Sequence, residues 1–376
     1  MDTYQQQLDA ARAQVEEVAP EELNLSEGLI IDVRTPAEIA LGVLPNAISV
    51  PMARVADDVE ALTGQRDDRI TFYCAVGERS LLAAAQLLDA GFTNVTSLSG
   101  GIKEWMALGL PTVSDSDLSD VTRRRYARHI VLPQVGLEGQ QKLIDARVLI
   151  VGAGGLGSPA ALYLAAAGVG NIGLVDHDVV ELSNLQRQIL HGVTDIGRSK
   201  VVSGAARVHE INPSVSTQAH EVLLDADNAI DVLSDYDLAI DATDNFATRY
   251  LINDASMHLG MPVVHGSVFR FEGQLAVFKP HETACYRCVF PELPPPDLTP
   301  NCTEAGVFGV LPGVVGTMQA TEALKLLLGI GEPLLGRLLT YDALNQTTTT
   351  VRLQRRTDCV ACSGPPPPLQ SGSEYC

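Results

Sequence analysis

The sequence predicts an α/β protein of two domains, each built on a mostly parallel sheet. Two blocks of alternating apolar strands and helices are separated by a polar run at residues 114–120. Strands that alternate with helices favour parallel pairing, because each crossover helix returns the chain to the same edge of the sheet. A chain of 376 residues is long enough for two cores of this kind.

The first block is expected to form a domain over residues 15–113, followed by a linker at 114–121. The apolar runs predict strands at 29–33, 70–74 and 94–98, with a helix at 80–91 between the last two.

The second block is expected to form a domain over residues 122–363. Its predicted strands are 148–152, 172–176, 238–243, 262–266 and 272–278, and its predicted helices are 158–167 and 199–210. The Pro- and Gly-rich run 364–376 is predicted to be a disordered tail.

Composition argues against several classes of function. A formal charge of −20 disfavours a nucleic-acid surface, because phosphate binding needs a basic face. The start, MDTYQQQLDAARAQVEE, lacks the basic flank and apolar core of a signal peptide. The uncharged stretch 148–175 is interrupted by several glycines and by Pro159, which suits a strand and helix better than a membrane span. We therefore expect a cytoplasmic protein with no membrane or nucleic-acid partner.

A glycine-rich loop from Gly152 to Gly157 follows a predicted strand and precedes a helix that opens with Ser158 and Pro159. Without Cβ atoms such a loop can approach phosphate closely, and the helix start offers oriented N–H groups. Asp176, at the end of the next strand, is placed to bind a ribose hydroxyl. By itself this motif fits an NAD-dependent oxidoreductase as well as an ATP enzyme.

Two cations and one carboxylate favour ATP. Arg187 lies among hydrogen-bonding side chains, Lys200 begins a predicted helix, and Asp244 ends a predicted strand. A triphosphate attacked at its α-phosphorus needs cations for the departing pyrophosphate, whereas a nicotinamide cofactor does not need such a pair. Asp244 is suited to Mg²⁺. Taken singly, Arg187 or Lys200 is better interpreted as a solvated surface charge.

Two C-x-x-C pairs indicate a metal site. Cys285 with Cys288, and Cys359 with Cys362, have the spacing that lets two thiolates share one ion. Four thiolates complete a closed tetrahedral set, which predicts a structural Zn²⁺ ion. An iron–sulfur cluster or a redox dithiol is the alternative.

Two further cysteines are candidate reactive thiols. Cys74 begins a loop between a strand and a helix, where N–H groups, the helix start and Arg79 are expected to lower the thiol pKa. Four residues separate Cys74 from Arg79, one fewer than in tyrosine phosphatases, so the smaller cradle suits a terminal sulfur. Cys302 follows the Pro-rich run 291–300 and is either a mobile thiol or a small packed residue.

The second block resembles the MoeB/ThiF family of adenylyltransferases, which shares its catalytic core with ubiquitin-activating enzymes. The segments that carry the resemblance are RYARHIVLPQVGLEGQ, GAGGLG, DHDVVELSNLQRQ, DATDN, CYRC, NCTEAG and CVAC. The resemblance implies a Rossmann-like fold and a homodimer in which Arg128 reaches the partner's site. It also implies ATP binding by Gly155, Asp176, Ser183, Asn184, Leu185, Gln186, Arg187, Lys200, Asp244 and Asn245.

The first block resembles a single rhodanese domain through IIDVRTPAE, CAVGERS and LSGGIKEW. This resemblance implies that Cys74 carries persulfide sulfur and that Asp32 and Arg34 buttress the loop. Rhodanese modules more often follow this kind of adenylyltransferase domain, whereas here the module comes first.

Together the two resemblances imply an enzyme that adenylylates the C-terminal glycine of a ubiquitin-like sulfur carrier ending in Gly-Gly. The persulfide on Cys74, supplied by a cysteine desulfurase or by thiosulfate, then yields the carrier thiocarboxylate, with Cys302 resolving an acyl disulfide. The first choice of carrier is the small subunit of molybdopterin synthase, and carriers for thiazole, cysteine or tRNA thiolation stay open. An NAD-dependent oxidoreductase and a non-catalytic scaffold are the alternatives from other classes.

Overall fold

The structure is a computed structural model that describes residues 3–114, 116–292 and 306–370. The chain divides into two compact units, residues 1–138 and 139–376. The boundary between them lies later than the linker expected at 114–121, and a helix capped by Ser119 begins at Asp120, within that expected linker. The domain bounds given above therefore stay a prediction.

The first unit contains a five-stranded sheet in the order β1-β5-β4-β2-β3, and every pairing in it is parallel. Its strands are β1 (Glu16–Val18), β2 (Leu29–Asp32), β3 (Ala47–Ser49), β4 (Ile70–Tyr73) and β5 (Val95–Leu98). Its helices are α1 (Thr3–Arg12), α2 (Pro36–Ile39), α3 (Val55–Leu62), α4 (Glu78–Asp89), α5 (Gly101–Ala107), α6 (Asp120–Arg125) and α7 (Ala127–Ile130).

The core of the first unit lies on both faces of this sheet. On one face Ile31 and Phe72 pack with Leu81 and Leu87 of α4, and on the other Tyr73 packs with Trp105. Every residue of β4 and β5 is buried, as expected for central parallel strands. The carboxyl end of β4 therefore sets the position of the segment that begins at Cys74.

The second unit contains an eight-stranded sheet in the order β13-β12-β11-β10-β9-β6-β7-β8. Pairing is parallel from β8 to β10 and antiparallel from β10 to β13. The strands are β6 (Arg147–Val151), β7 (Asn171–Val175), β8 (Ser216–His220), β9 (Leu238–Asp241), β10 (Val263–Phe269), β11 (Glu272–Phe278), β12 (Arg337–Asp342) and β13 (Thr347–Arg352).

Helices cover both faces of the parallel half of this sheet. One face carries α9, α10 and α14 over the largest apolar core, and the other carries α11 and α12. The described helices that begin from residue 136 onward are α8 (Gly136–Asp145), α9 (Gly157–Ala167), α10 (Lys200–Ile211), α11 (Ala229–Ser234), α12 (Phe246–Leu259), α13 (Tyr286–Val289) and α14 (Leu311–Leu328).

The predicted fold class is confirmed, and the predicted strand at 272–278 has the bounds of β11. The strand predicted at 262–266 runs on to Phe269 because it pairs with β11 along its whole length. Strand β13 was missed because all six of its residues are exposed, which leaves no alternating pattern to detect. None of the helices in the described ranges is long and apolar enough to cross a membrane.

Two glycines of α14 give a matched test of the packing between α14 and α9. A Cβ atom on Gly316 would lie 2.2 Å from the Leu156 carbonyl oxygen, whereas one on Gly313 would meet nothing within 4 Å. We expect Gly316→Ala to lower the free energy of unfolding by about 2 kcal/mol, because the helices must separate. Gly313→Ala should raise it by roughly 0.5–1 kcal/mol. Urea denaturation measures both, and equal effects would contradict the close packing.

Candidate nucleotide, metal and sulfur sites

A cavity of about 450 Å³ opens in the second unit at the carboxyl ends of β6, β7 and β9. This is the edge of a parallel sheet at which ligands generally bind. The cavity is lined by the glycine-rich loop, by the residues after β7 and β9, and by side chains of β10 and β11.

The glycine-rich loop is shaped by a close backbone approach. Gly152 has a φ of +101°, and a Cβ atom there would lie 2.7 Å from the Ala242 carbonyl oxygen. Gly154 and Gly155 follow and line the cavity. Position 152 therefore requires glycine, as the prediction of a phosphate-binding loop assumed.

Two side chains hold this loop in place. One carboxylate oxygen of Asp176 accepts from the Ala153 N–H at 2.9 Å, and the other accepts from the Asp178 N–H at 2.9 Å. Buried His191 spans 2.9 Å from Nε2 to the Ala153 carbonyl oxygen and 2.9 Å from Nδ1 to the Ser203 hydroxyl. Burial lowers the pKa of His191, which keeps the ring neutral. Sequence reasoning missed His191, which links the loop to α10.

The two predicted cations both line the cavity. Lys200 Nζ lies 2.8 Å from Asp178 Oδ2 and 4.0 Å from Asp176 Oδ2. Burial opposes ionisation of Asp178, but its bond to Lys200 keeps the pKa of that carboxyl low. Arg187 donates to the Ser183 carbonyl oxygen at 3.1 Å and forms no ion pair with the described residues. A triphosphate would therefore meet one unpaired guanidinium and one ammonium that an acidic side chain already shares.

Asp244 and Asn245 are exposed and line the cavity. The Asn245 side chain caps α12 by accepting from the Thr248 N–H at 2.9 Å. Buried Gln188 also lines the cavity, and its Oε1 has no hydrogen-bond partner within the described ranges. Gln188 is the last residue of the segment DHDVVELSNLQRQ quoted above, but sequence reasoning did not single it out.

Four residues that the resemblance linked to ATP are not among the described residues that line the cavity: Ser183, Asn184, Leu185 and Gln186. Asn184 is buried and its side chain accepts from the Glu181 N–H at 3.0 Å, which shapes the turn before Arg187. Their ATP contacts stay a prediction.

The inner end of the cavity contains a buried group of charges that sequence reasoning missed. Asp241 accepts from His265 Nδ1 at 2.7 Å and from the Thr243 hydroxyl at 2.7 Å. Burial raises the pKa of Asp241, but bonding to His265, with Arg249 and Thr243 nearby, more than offsets it and keeps that pKa low. Arg249 is 8% exposed, donates to the Thr243 carbonyl oxygen at 2.9 Å, and leaves its buried Nε without a partner in the described ranges.

The four predicted metal ligands come together. The Sγ atoms of Cys285, Cys288, Cys359 and Cys362 all lie within 4.8 Å of one another, and three of the separations are 3.9, 3.7 and 3.6 Å. A tetrahedral ion with bonds of about 2.3 Å to sulfur needs sulfurs about 3.8 Å apart, so this set fits Zn²⁺. Burial raises the pKa of Cys362 to about 11, an electrostatic cost that a central cation would remove.

Cys74 lies directly after β4 at the base of its loop and is 0% exposed. Its Sγ accepts from the Gly77 N–H at 3.2 Å and lies 3.5 Å from the Ser80 hydroxyl. Burial raises the pKa of the thiol, but hydrogen bonds from Ser80, Val76 and Gly77 outweigh burial and bring the pKa below its usual value. The loop is therefore built to hold a sulfur anion.

Arg79 has a partner besides the thiolate that the sequence did not indicate. Its guanidinium binds both carboxylate oxygens of Glu38, at 2.9 and 2.5 Å, and this pairing lowers the pKa of Glu38 to about 2. Arg79 also interacts favourably with the Cys74 thiolate, so its charge adds to the hydrogen bonds that lower the pKa of Cys74. Asp32 and Arg34 form a buried pair at 2.7 Å, and Arg34 also donates to the Glu38 carbonyl oxygen at 3.1 Å.

Two predicted residues are not among those described in the three sites above. Arg128 is exposed on α7 in the first unit. Cys302 lies outside the described residues. Their roles stay predictions.

Comparison with known proteins decides the family. The model of the ThiF family matches residues 126–361, which is more than half of the chain. The chain belongs to the ThiF family. A rhodanese-like domain model matches residues 16–108, so both predicted resemblances are confirmed for this ThiF-family chain.

Among curated relatives, the sulfur carrier protein adenylyltransferase of Thermus thermophilus is 51% identical over 248 residues, which is 64% of this chain and 91% of that protein. The probable adenylyltransferase/sulfurtransferase MoeZ of Mycobacterium tuberculosis is 50% identical over 66% of this chain and 65% of its own length. A crystal structure of E. coli MccB with ATP superposes with a TM-score of 0.55 at 21% identity, covering 64% of this chain and 73% of that one, which shows a shared fold.

Removing the Ser80 hydroxyl tests what lowers the pKa of Cys74. The single hydroxyl proton reaches either the Gly77 carbonyl oxygen or Sγ, and ionisation of the thiol favours the bond to Sγ. We expect Ser80→Ala to raise the pKa, leaving about tenfold less thiolate at pH 7. Thiolate absorbance measures this after subtraction of the same variant carrying Cys74→Ala. Exposed Ser49→Ala is the control, and an unchanged titration in Ser80→Ala would mean that the backbone N–H groups and Arg79 set the pKa without the hydroxyl.

Proposed function

We propose that this chain adenylylates the C-terminal glycine of a ubiquitin-like sulfur-carrier protein and then converts that carboxylate to a thiocarboxylate with sulfur held on Cys74. The observation that carries the proposal is the pairing of two sites in one ThiF-family chain. One is a cavity lined by Gly155, Asp176, Arg187 and Lys200, and the other is a thiolate-stabilising loop. Both curated relatives named above carry adenylyltransferase in their names, and MoeZ also carries sulfurtransferase.

The cavity has the volume and the charges that ATP requires. About 450 Å³ falls within the usual range for small-molecule sites. The carboxylate of the carrier attacks the α-phosphorus, pyrophosphate leaves, and an acyl-adenylate forms. Arg187, Lys200 and Arg128 from a second copy stabilise the charge that builds on the pyrophosphate. A nicotinamide cofactor would leave Arg187 and Lys200 without this task, which favours ATP.

Magnesium fits the exposed carboxylate of Asp244, which lines the cavity and has the oxygen donors that this ion prefers. When bound, the ion neutralises charge on the phosphates. No general base is needed for the attack, because a carboxylate is already ionised at neutral pH.

Sulfur transfer starts on Cys74. Its thiolate attacks the outer sulfur of a persulfide donor, such as a cysteine desulfurase, or of thiosulfate, and the donor leaves as a thiolate or as sulfite. The resulting Cys74 persulfide attacks the acyl carbon of the adenylate and AMP leaves, which gives an acyl disulfide. Because Sγ is buried beneath the loop, the donor must insert its outer sulfur between the N–H groups that now face the thiolate.

The last step releases the product. A thiolate, for which we propose Cys302, attacks the Cys74 sulfur of the acyl disulfide, and the carrier leaves as its thiocarboxylate. The Cys74–Cys302 disulfide that remains is reduced by an external thiol.

A second copy of this chain is the proposed partner that supplies Arg128. The segment between residues 179 and 202 exposes six large apolar side chains, which suits burial against another copy: Val179, Leu182, Ile189, Val193, Ile196 and Val202. We propose a cytoplasmic homodimer whose carrier is the small subunit of molybdopterin synthase, with carriers for thiazole, cysteine or tRNA thiolation as alternatives.

Two substitutions separate the two activities. Cys74→Ala should leave carrier-dependent ATP–pyrophosphate exchange within about twofold of the unmodified protein, because Cys74 acts only after the adenylate forms. Lys200→Ala should lower exchange by about a hundredfold or more, because it removes a charge from the leaving group. Mass spectrometry of the carrier should show the thiocarboxylate with neither variant. Loss of exchange in Cys74→Ala would refute the division of labour.

The four-cysteine cluster is proposed to hold a structural Zn²⁺ ion. Purified protein should contain about one zinc per chain, and Cys359→Ser should lose it and lower Tm by roughly 5 °C or more. Elemental analysis and thermal unfolding measure both effects. Cys74→Ser, outside the cluster, should keep the metal. Iron with visible charge-transfer absorbance would instead indicate an iron–sulfur cluster.

A further inference from the structure

The inner end of the nucleotide cavity presents two polar groups that the adenylylation chemistry above does not use. His265 is 1% exposed and Arg249 is 8% exposed, yet both line the cavity. Among the described residues the imidazole of His265 is hydrogen-bonded only to Asp241, through Nδ1, and the buried Nε of Arg249 has no partner. Buried polar groups are normally satisfied, so the Nε of Arg249 indicates a ligand that completes it, and His265 lies beside it on the cavity wall.

Asp241 determines what His265 can offer. Its Oδ2 lies 2.7 Å from His265 Nδ1, while its Oδ1 accepts the Thr243 hydroxyl at 2.7 Å and the Thr243 N–H at 3.1 Å. An ionised carboxylate only accepts hydrogen bonds, so a proton of the imidazole lies on Nδ1. In the tautomer that carries this single proton, Nε2 presents a lone pair, which acts as a hydrogen-bond acceptor.

Arg249 offers the opposite group. Its guanidinium is held by the Thr243 carbonyl oxygen at 2.9 Å and lies 5.4 Å from the centre of the Phe246 ring. It forms no ion pair with the described residues, although it lies close enough to Asp241 for its charge to lower the pKa of that carboxyl. Its Nε–H is therefore a charged donor.

A charged donor beside an acceptor does not match a phosphate, whose oxygens only accept. The pair matches the last residue of a peptide chain, which has one N–H and a carboxylate. Aromatic rings of Tyr286 and Phe290 line this end of the cavity, and the ring centres of Tyr286 and His265 are 5.2 Å apart. Because these rings occupy the space that a side chain of the ligand would need, this end of the cavity suits glycine.

We propose that this end of the cavity binds the terminal glycine of the carrier, with His265 Nε2 accepting its N–H and Arg249 Nε donating to its carboxylate. The inference rests on the proposed function, because it assumes that a carrier carboxylate enters the cavity. It assigns His265 and Arg249 as substrate-binding residues and Asp241 as the positioning residue that selects the tautomer of His265.

The test removes the single N–H from the substrate rather than a side chain from the protein. A carrier made by semisynthesis with sarcosine (N-methylglycine) as its last residue is compared with the Gly-Gly carrier in ATP–pyrophosphate exchange at pH 8. The unmodified protein should lose about tenfold or more in kcat/KM with sarcosine, because His265 Nε2 is left without its donor. Equal rates with the two carriers would overturn the inference.

Variants separate the lost hydrogen bond from the bulk of the extra methyl group. An asparagine amide at position 241 can donate a hydrogen bond to His265 Nδ1, which places the ring proton on Nε2. An Asp-to-Asn substitution beside a catalytic histidine has this effect in serine proteases. Asp241→Asn should therefore lower kcat/KM for the Gly-Gly carrier. It should also bring the ratio of kcat/KM between the glycine and sarcosine carriers to about one. His265→Phe should do the same, whereas His258→Phe, at an exposed position near the end of α12, should keep the ratio of the unmodified protein. A ratio unchanged in both Asp241→Asn and His265→Phe would show a steric effect and overturn the inference.

Arg249→Lys keeps the charge but loses the Nε–H. It should raise the KM for the carrier by about tenfold while the discrimination against sarcosine persists, and an unchanged KM would remove Arg249 from the site. Absence of exchange with every Gly-Gly carrier would refute the proposed function itself. ATP–pyrophosphate exchange that is equally fast with the glycine and sarcosine carriers would refute only this inference.

Discussion

The buried carboxylate of Asp241 is the interaction on which the second unit depends. It is 2% exposed, and a charge so far from water costs several kcal/mol unless it is fully hydrogen-bonded. Asp241 ends β9, His265 comes from β10, and Thr243 leads into α12. Gln319 of α14 adds bonds to the main-chain oxygens of Asp241 at 2.7 Å and Val264 at 3.0 Å. Four elements are therefore held in register around one charge, and they form the inner wall of the cavity.

Asp176 has the same structural task at the opposite side of β6. It follows β7 and holds the glycine-rich loop through the Ala153 N–H. Both carboxylates lie at the carboxyl edge of the parallel sheet, where strand ends leave main-chain groups to be satisfied. The cavity lies between two acidic anchors. Lys200 is already paired with Asp178, whereas Arg187 forms no ion pair among the described residues and is left to meet an incoming anion.

Short-range features of both units could be predicted from the sequence. The glycine-rich loop, the two C-x-x-C pairs and the Cys74 loop each lie within a few residues, so spacing alone reveals their geometry. Asp241 and His265 are 24 positions apart, and His191 and Ala153 are 38 apart. Such pairs depend on strand register and helix placement, which periodicity does not supply. The expectation for Arg79 was incomplete for the same reason, because its partner Glu38 lies on another helix, 41 positions away.

The cysteine cluster joins positions 74 residues apart. Within the described part of this span lie α14 and the hairpin of β12 and β13, so a bound ion would turn the intervening polypeptide into a closed ring. Cleavage of any one peptide bond inside that ring would leave the two fragments tethered through sulfur and metal. The ion would then hold the two fragments of a cleaved chain together until a chelator removed it.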